Sequence, residues 1–275
     1  MAKIKVELGE VQKTLLIPLW GRAVEYDKPH PILRDPYALE LASRIDFDFQ
    51  AGFQGMAQQF LVNCAVRAHH FDTALKALIA EHPDATIVNI GAGLDTTFPR
   101  VDNGRITWYD LDLPDAMALR RQLIPESDRN PFIAKSVFDR TWFQDIRKRG
   151  SKIFLMAGGV FAYLPRHDIK PLFLDISKAL SGCDIMFEIY TPFLVFYRNL
   201  FLRRWGKGQG KIARFQWGEK NAKAIAAWSP NFHVLDEFPF YARTDLSGIT
   251  DPKILQQMKT INSKQWIKMV RLRLG

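Results

Sequence analysis

One stretch of the chain decides its fold class: residues 86–96 read TIVNIGAGLDT. The run 86–90 is apolar or β-branched apart from Asn89, which is typical of a strand buried on both faces. Gly91 and Gly93 follow at once and predict a turn that a ligand can approach closely, because glycine lacks a Cβ and tolerates positive φ. An ordinary strand-to-helix turn is the alternative, since a Gly-X-Gly turn by itself is a weak motif.

Short apolar runs recur after this stretch and are separated by helical patterns. This alternation predicts an α/β fold with a doubly wound, Rossmann-like sheet, mostly parallel, whose ligand lies beyond the carboxyl ends of the strands. The final strand carries Lys268, Arg271 and Arg273 and is therefore expected to be a partly exposed edge strand. The predicted strands are residues 86–90, 106–110, 132–136, 152–156, 184–189, 232–239 and 266–274.

The sequence divides into a helical first part and an α/β remainder. Residues 1–82 are expected to form an N-terminal helical extension and residues 83–275 an α/β domain, with an aromatic, basic cap insertion at about 190–230. Asp35 is expected to cap the second helix, ahead of a proline in the first helical position. Pro18 is expected to distort or interrupt the first. The predicted helices are residues 10–26, 35–45 and 55–81.

Composition is that of a globular protein. The chain has 275 residues, of which 47% are hydrophobic and 24% charged, which argues against disordered and fibrous classes. No window approaches the ~18 consecutive apolar residues of a membrane helix, and the N-terminus lacks the apolar core of a signal peptide. Cys64 and Cys183 are far apart and are expected to be reduced, buried thiols. We therefore expect a cytoplasmic protein without a metal site.

The net charge of +9 arises from 38 Lys and Arg against 29 Asp and Glu, and the excess is concentrated in the C-terminal third. A solvated surface is the simplest explanation, while nucleic acid and an anionic small molecule are the alternatives. Arg203, Arg204 and Lys207 belong to the expected cap. We interpret this charge as attracting a small anionic partner, and expect no specific nucleic-acid partner and no membrane partner.

Two carboxylates follow the glycine turn at a spacing of about 20 residues. Asp110 and Asp112, at the end of the second predicted strand, are candidates for accepting hydrogen bonds from ribose hydroxyls, and alternation along a strand does not choose between them. Thr96 stands where dinucleotide-binding sequences have a third glycine, which favours S-adenosylmethionine over NAD. A nicotinamide-dependent oxidoreductase stays the alternative. Asp139 is a candidate for the adenine amino group, or else a helix cap.

Several ordered blocks between about residues 10 and 190 resemble the leucine carboxyl methyltransferase superfamily, with a closer likeness to the bacterial and archaeal O-methyltransferases related to tetracenomycin biosynthesis. Blocks in register are far more specific than one glycine motif. The blocks are RAVE (22–25), DPYA (35–38), Arg67, GAGLDT (91–96), DLDLP (110–114) and GGVFAYL (158–164).

The resemblance implies a class I S-adenosylmethionine-dependent methyltransferase: a seven-stranded sheet with the last strand antiparallel, extra N-terminal helices and a cap after strand five. It also implies contacts to the cofactor: the methionyl carboxylate with Arg67 and Lys13, the methionyl group with Gly91 and Gly93, the ribose with Asp112 and the adenine with Asp139. Gly158 stands near the cofactor, where superfamily members often have glutamate. A non-catalytic S-adenosylmethionine-binding protein is therefore an alternative.

Methyl transfer is an in-line displacement at a sulfonium, which mainly requires alignment and exclusion of water. A carboxylate acceptor needs no base, whereas a hydroxyl benefits from one. Tyr163 and Tyr190 are candidates for lining the acceptor pocket, and His167 and His233 are weaker candidates for a base. No catalytic residue is assigned. We expect an O-methyltransferase that converts a carboxylate or hydroxyl of a small, polyketide-like acceptor and releases S-adenosylhomocysteine.

Overall fold

The structure, a computed structural model, describes residues 3–5, 10–54, 58–146, 152–205 and 213–275, with side chains throughout except at 10–14 and 201–205. The strands are β1 (Thr86–Ile90), β2 (Thr107–Asp112), β3 (Phe132–Ala134), β4 (Ile153–Ala157), β5 (Cys183–Tyr190), β6 (Phe232–Pro239) and β7 (Ile267–Leu274). The helices are α1 (Glu10–Tyr26), α2 (Pro36–Arg44), α3 (Phe49–Gly52), α4 (Gln58–Glu81), α5 (Thr97–Val101), α6 (Pro114–Leu123), α7 (Trp142–Asp145), α8 (Arg166–Ala179), α9 (Pro192–Trp205), α10 (Ala222–Ala226) and α11 (Pro252–Ser263).

The strands form a seven-stranded sheet in the order β3-β2-β1-β4-β5-β7-β6. The first five strands pair in parallel, and β7 is antiparallel to both β5 and β6. The prediction of an α/β fold with a mostly parallel sheet is confirmed. Because β1 lies between β2 and β4, the chain reverses its direction of winding there, and this opens a ligand crevice at the carboxyl ends of these strands.

The final strand, β7, is not at the sheet edge, and the prediction that it would be was wrong. It lies between β5 and β6, and carboxylates on these two neighbours neutralise its cations. Lys268 Nζ lies 2.8 Å from Glu237 Oε1 of β6. Arg271 and Arg273 both pair with Asp184 of β5, at 2.6 and 3.0 Å. Basic residues can therefore stand in an interior strand, since each one meets an opposite charge.

Pro18 lies inside α1, so of the two predicted effects of this proline, distortion and interruption, the helix is not interrupted. α1 packs against α2 and α4, and Leu16, Leu19 and Ala23 on its inner face are buried. This burial outweighs the backbone hydrogen bond that a proline removes from a helix.

A buried carboxylate, Asp35, joins the N-terminal helices to the loop after β1. Its side chain accepts a hydrogen bond from Ala38 N at 2.9 Å, which confirms it as the N-cap of α2. Arg22 Nε and Arg100 Nη1 lie 3.0 and 2.6 Å from Asp35 Oδ2. The Thr96 hydroxyl donates to the same oxygen at 2.5 Å. Thr96 thus ties the glycine turn to the helices, and the division of the chain at residue 82 stays a prediction.

The two cysteines are free and buried. Burial in β5 raises the pKa of the Cys183 thiol to about 12, and burial also raises the pKa of the Cys64 thiol. Both thiols are therefore protonated and poorly reactive at neutral pH. Within the described ranges, no helix is both long and apolar enough to span a membrane.

Candidate active site

The glycine turn after β1 lines the crevice. Gly91 has φ +68°, and a Cβ at that position would lie 2.3 Å from Val160 Cγ2. Gly93 has φ +45°, and its Cβ would lie 3.0 Å from Leu15 Cδ2. Side chains are therefore excluded from both positions by conformation and by space, and the turn is held by hydrogen bonds from Gly91 N to Leu111 O and from Gly93 N to Asp112 Oδ2.

Gly91→Ala is expected to lower the free energy of unfolding by about 3 kcal/mol, because alanine must adopt a left-handed conformation and Val160 must also move. Gly104→Ala is the matched control: Gly104 has φ +79° but nothing within 4 Å of its Cβ position. We expect that control to lose about 1 kcal/mol, the conformational cost alone. Urea unfolding of both variants measures the difference, and equal losses would contradict the close contact with Val160.

The structure separates the two candidate ribose ligands. Asp110 is completely buried, and its Oδ2 accepts from Arg120 Nη2 at 2.7 Å and Asn130 Nδ2 at 2.9 Å. Its Oδ1 accepts from Trp108 Nε1 at 2.9 Å and Asn89 Nδ2 at 3.1 Å. Asp110 therefore links β1, β2, α6 and the segment before β3, and the structure does not bring it to the crevice.

Asp112 is the carboxylate that borders the glycine turn. Its Oδ2 accepts a hydrogen bond from Gly93 N at 2.8 Å, and its Oδ1 accepts from Leu113 N at 2.7 Å. Burial raises the pKa of Asp112, and the two backbone donors oppose that shift. β2 reaches this residue, beyond the predicted end of the strand at residue 110, because Asp112 pairs with Ala134 of β3.

Asp139 and Lys13 are the two other predicted cofactor ligands to be located. Asp139 is exposed and its Oδ1 accepts from Thr141 Oγ1 at 2.6 Å and Thr141 N at 3.0 Å. These bonds lower the pKa of Asp139 and show it capping the turn before α7. Lys13 belongs to α1, but its side chain is outside the described part.

Arg67 of α4 and Glu188 of β5 form a buried pair at the carboxyl end of β4. Arg67 Nε lies 3.4 Å from Glu188 Oε1, and their side chains are 16% and 2% exposed. Burial opposes the charge on Arg67, but the neighbouring Glu188 raises the pKa of Arg67, which stays a cation. Arg67 Nε and Glu188 Oε2 are buried without a hydrogen-bond partner among the described residues. The sequence analysis missed Glu188, whose signal is a lone acid at the end of an apolar strand.

Arg67 packs against the two glycines after β4. A Cβ at Gly158 would lie 3.0 Å from Phe71 Cε2 and 3.1 Å from Arg67 Cδ. Gly159 has φ +74°, and its Cβ would lie 2.5 Å from Arg67 Nη1. A side chain at position 158 would thus require Arg67 and Phe71 to shift by a few tenths of an ångström.

Tyr163 and Tyr190, the predicted acceptor-pocket residues, meet through Phe215. The ring centroids of Tyr163 and Tyr190 lie 5.0 and 4.6 Å from that of Phe215, and the Arg198 guanidinium lies 3.8 Å from the same ring. Desolvation raises the pKa of both phenols, although Tyr163 is 36% exposed, so they are protonated at neutral pH. Burial also lowers the pKa of Arg198, and its Nε has no hydrogen-bond partner within the described ranges.

The structure does not bring the two histidine candidates for a base to Tyr163 and Tyr190. His167 is 82% exposed on α8, and His233 is exposed on β6. His70 is buried, and burial lowers its pKa to about 4. Among the residues that the structure describes, no group of three or more His, Cys, Asp or Glu could hold a metal ion. Arg203, Arg204 and Lys207 lie outside the described side chains.

Comparison with known proteins identifies the family. The family model of leucine carboxyl methyltransferase matches residues 16–177. The chain belongs to the leucine carboxyl methyltransferase family. This methyltransferase is 29% identical over 236 residues to the tetracenomycin polyketide synthesis O-methyltransferase TcmP of Streptomyces glaucescens, a match that covers 85% of this chain and 84% of the relative. It is 27% identical over 201 residues to the S-adenosyl-L-methionine-dependent methyltransferase dpfgK of Gibberella zeae, covering 68% and 67% of the two chains.

Solved structures share the fold of this methyltransferase. A DUF574 family protein from Streptomyces avermitilis superposes with a TM-score of 0.56 at 10% identity, over 93% of this chain and 97% of its own. An S-adenosylmethionine-dependent methyltransferase from Anabaena variabilis gives a TM-score of 0.52 at 12% identity, over 100% and 99%. The family and these relatives establish an S-adenosylmethionine-dependent methyltransferase, so the nicotinamide and non-catalytic alternatives are set aside.

The crevice fits this cofactor. Gly91 and Gly93 form a turn without side chains, Asp112 stands beside that turn, and Arg67 and Glu188 each hold a buried polar atom without a partner in the described ranges. A zwitterionic methionyl group and a ribose diol offer the polar groups that such a site lacks.

Proposed function

We propose that this enzyme methylates a carboxylate or hydroxyl oxygen of a small, anionic, polyketide-like acceptor and releases S-adenosylhomocysteine. The observation that carries the proposal is Arg198. Its guanidinium lies 3.8 Å from the ring of Phe215, which also contacts Tyr163 and Tyr190. Its Nη1 donates to Ala213 O at 3.3 Å, while its Nε is buried without a hydrogen-bond partner among the described residues. A partly buried cation of this kind is stabilised by an anionic ligand. The name of the relative TcmP, an O-methyltransferase of polyketide synthesis, supports an oxygen acceptor.

On the cofactor side, the proposal places the methionyl carboxylate at Arg67, with Lys13 as a possible second cation, and the methionyl chain along Gly91, Gly93 and Gly158. The ribose diol faces Asp112, and the adenine amino group faces Asp139. This order follows the crevice from the end of β4 to the end of β3. It is supported by the glycine turn, which carries no side chains, and by the bond from Gly93 N to Asp112 Oδ2.

The bound cofactor supplies a methyl group on a sulfonium sulfur. The contribution of the chain itself would be to present an acceptor oxygen to that methyl group. The residues around the pocket hold the oxygen in line and exclude water. Tyr163 and Tyr190 are protonated, so they can donate hydrogen bonds but cannot serve as bases. Acceptors that are already ionised, such as carboxylates and acidic phenols, therefore suit the site best.

Two measurements test this function. Calorimetric titration is expected to show binding of S-adenosylmethionine and S-adenosylhomocysteine but not NAD, and weaker binding of both adenosyl ligands to Arg67→Ala. Release of S-adenosylhomocysteine is then measured with aromatic carboxylic acids, acidic phenols and their neutral methyl derivatives as acceptors. We expect turnover with the ionised compounds only. Preferential turnover of neutral alcohols or amines would contradict the proposal.

Arg198→Met is expected to raise KM for an anionic acceptor about 10-fold or more, because one charge-assisted hydrogen bond contributes about 1.5–3 kcal/mol. Affinity for S-adenosylhomocysteine is expected to stay the same. Arg243→Met is the matched control, since Arg243 also stacks on a phenylalanine at 3.8 Å, but pairs with Asp236 on an exposed surface. Equal KM values for both variants and the unmodified enzyme would show that Arg198 does not bind the acceptor.

A further inference from the structure

Glu188 stands at the end of β5 beside the crevice. In the parallel register of β4 and β5, Ala157 pairs with Phe187, so the next residues, Gly158 and Glu188, follow side by side at the carboxyl ends. The Glu188 side chain is 2% exposed. A charged group this deeply buried requires partners for its oxygens.

Only one of the two carboxylate oxygens has a donor. Glu188 Oε1 accepts from Gly159 N at 2.6 Å, which fixes the orientation of the side chain. Oε2 is buried and receives no hydrogen bond from any residue that the structure describes. An unsatisfied buried carboxylate oxygen of this kind destabilises the folded protein. A bound group that donates to Oε2 would recover that energy.

The neighbouring Arg67 indicates which kind of bound group would donate a hydrogen bond to Glu188 Oε2. Its Nε lies 3.4 Å from Glu188 Oε1 but without hydrogen-bond geometry, since Nε also has no partner in the described ranges. A cation and an anion side by side, each with an unsatisfied atom, are complementary to a group that carries a carboxylate and an ammonium on one carbon. The methionyl end of the cofactor is such a group.

We propose that Glu188 Oε2 binds the α-ammonium group of S-adenosylmethionine, so that Glu188 makes this enzyme selective for the amino-acid end of its cofactor. The assignment rests on the proposed position of the methionyl carboxylate at Arg67. It also accounts for Gly158. A side chain directly after β4 would crowd its neighbours, because a Cβ at position 158 would lie 3.0 Å from Phe71 and 3.1 Å from Arg67. The neighbouring strand supplies the carboxylate instead.

The test compares three ligands by calorimetry on the full chain and on Glu188→Gln, which keeps size and removes charge. S-Adenosylhomocysteine has both the ammonium and the carboxylate, S-adenosyl-3-thiopropylamine has only the ammonium, and 5′-methylthioadenosine has neither. Glu188→Gln is expected to weaken the first two about 10- to 100-fold and to change the third less than about twofold. Glu237→Gln, which removes a carboxylate paired with Lys268 on β6, is the control and is expected to change none.

Equal weakening of all three ligands would mean that Glu188 acts only through the shape of the crevice, and would overturn the ammonium assignment. Unchanged binding of S-adenosylhomocysteine would overturn it too. If Glu188→Gln does not fold, the unmodified enzyme alone tests the proposal. It is expected to bind S-adenosyl-3-thiopropylamine at least about 10-fold more tightly than 5′-methylthioadenosine. Equal affinities for these two ligands would exclude an ammonium site at Glu188. Absence of binding by all three ligands would instead overturn the proposed cofactor crevice, and this assignment with it.

Discussion

Asp35→Ala is expected to lower the free energy of unfolding by about 3–5 kcal/mol, the cost of leaving buried charges without their partner. The Asp35 side chain has no exposure and pairs with Arg22 and Arg100. It also accepts from the Thr96 hydroxyl and caps α2 through Ala38 N. Its removal leaves the Arg22 guanidinium, 4% exposed, without an ion-pair partner among the described residues, whereas Arg100, 5% exposed, keeps Asp72 at 2.8 Å. Urea unfolding followed by circular dichroism measures the loss.

The control for this prediction is Glu40→Ala on α2. Glu40 pairs with Arg44 one helical turn later at 3.6 Å, with side chains that are 64% and 32% exposed. An exposed pair of this kind contributes at most about 0.5 kcal/mol, so this variant is expected to unfold nearly as the unmodified protein does. A loss below about 1 kcal/mol for Asp35→Ala would show that the buried network does not hold the N-terminal helices to the glycine turn.

Asp112→Ala is expected to weaken S-adenosylhomocysteine binding about 100-fold. A carboxylate that accepts from two ribose hydroxyls makes two charge-assisted hydrogen bonds of about 1.5–3 kcal/mol each, and 1.4 kcal/mol corresponds to about tenfold in affinity. The alanine variant also loses the bond that Gly93 N donates to Asp112 Oδ2, so the turn itself is less ordered. Calorimetry gives the affinities, and thermal unfolding separates binding from loss of fold.

The matched control is Asp115→Ala, which removes the same charge from the exposed first turn of α6, where Asp115 accepts only a local bond from Ala116 N. That variant is expected to bind S-adenosylhomocysteine within about twofold of the unmodified enzyme. Comparable losses in both variants would show that overall charge, and not contact with the ribose, explains the effect of Asp112.

A pH dependence follows from the same residue. Burial raises the pKa of Asp112 in the free enzyme, and the ionised carboxylate is the form that accepts both hydroxyl hydrogens. Affinity for S-adenosylhomocysteine is therefore expected to fall as the pH falls through that raised pKa, at a higher pH than for an ordinary aspartate. Titrations between about pH 4 and pH 7 should show this fall in the unmodified enzyme. A fall of the same size in Asp112→Ala would assign it to another group.

Local features of the sequence predicted most of the secondary structure. The strands Thr86–Ile90 and Phe232–Pro239 and the helix Glu10–Tyr26 have the predicted bounds. Their apolar periodicity and the residues that bound them act within a few positions along the chain. The positive φ angles of Gly91 and Gly93 follow equally from local sequence, because a Gly-X-Gly turn after a buried strand has few other conformations.

The roles of charged residues were predicted less well, because these roles depend on partners that are distant in the sequence. Asp110 and Asp112 look alike in sequence, and only the approach of Arg120 and Asn130 makes Asp110 structural. Glu188 belongs to no sequence motif. Only its contact with Arg67, on helix α4 before β1, indicates that it is a site residue.

The sequence by itself determined the α/β class, the order of the elements and the glycine turn, because periodicity, capping and backbone conformation are local properties. The tertiary structure alone decided which carboxylates border the crevice, that β7 lies inside the sheet, and that Arg67, Glu188 and Arg198 keep atoms without partners in the described part of the chain. The physical reason is that the energy of a charge depends on its burial and on the groups within a few ångströms, and the fold brings those groups from distant positions.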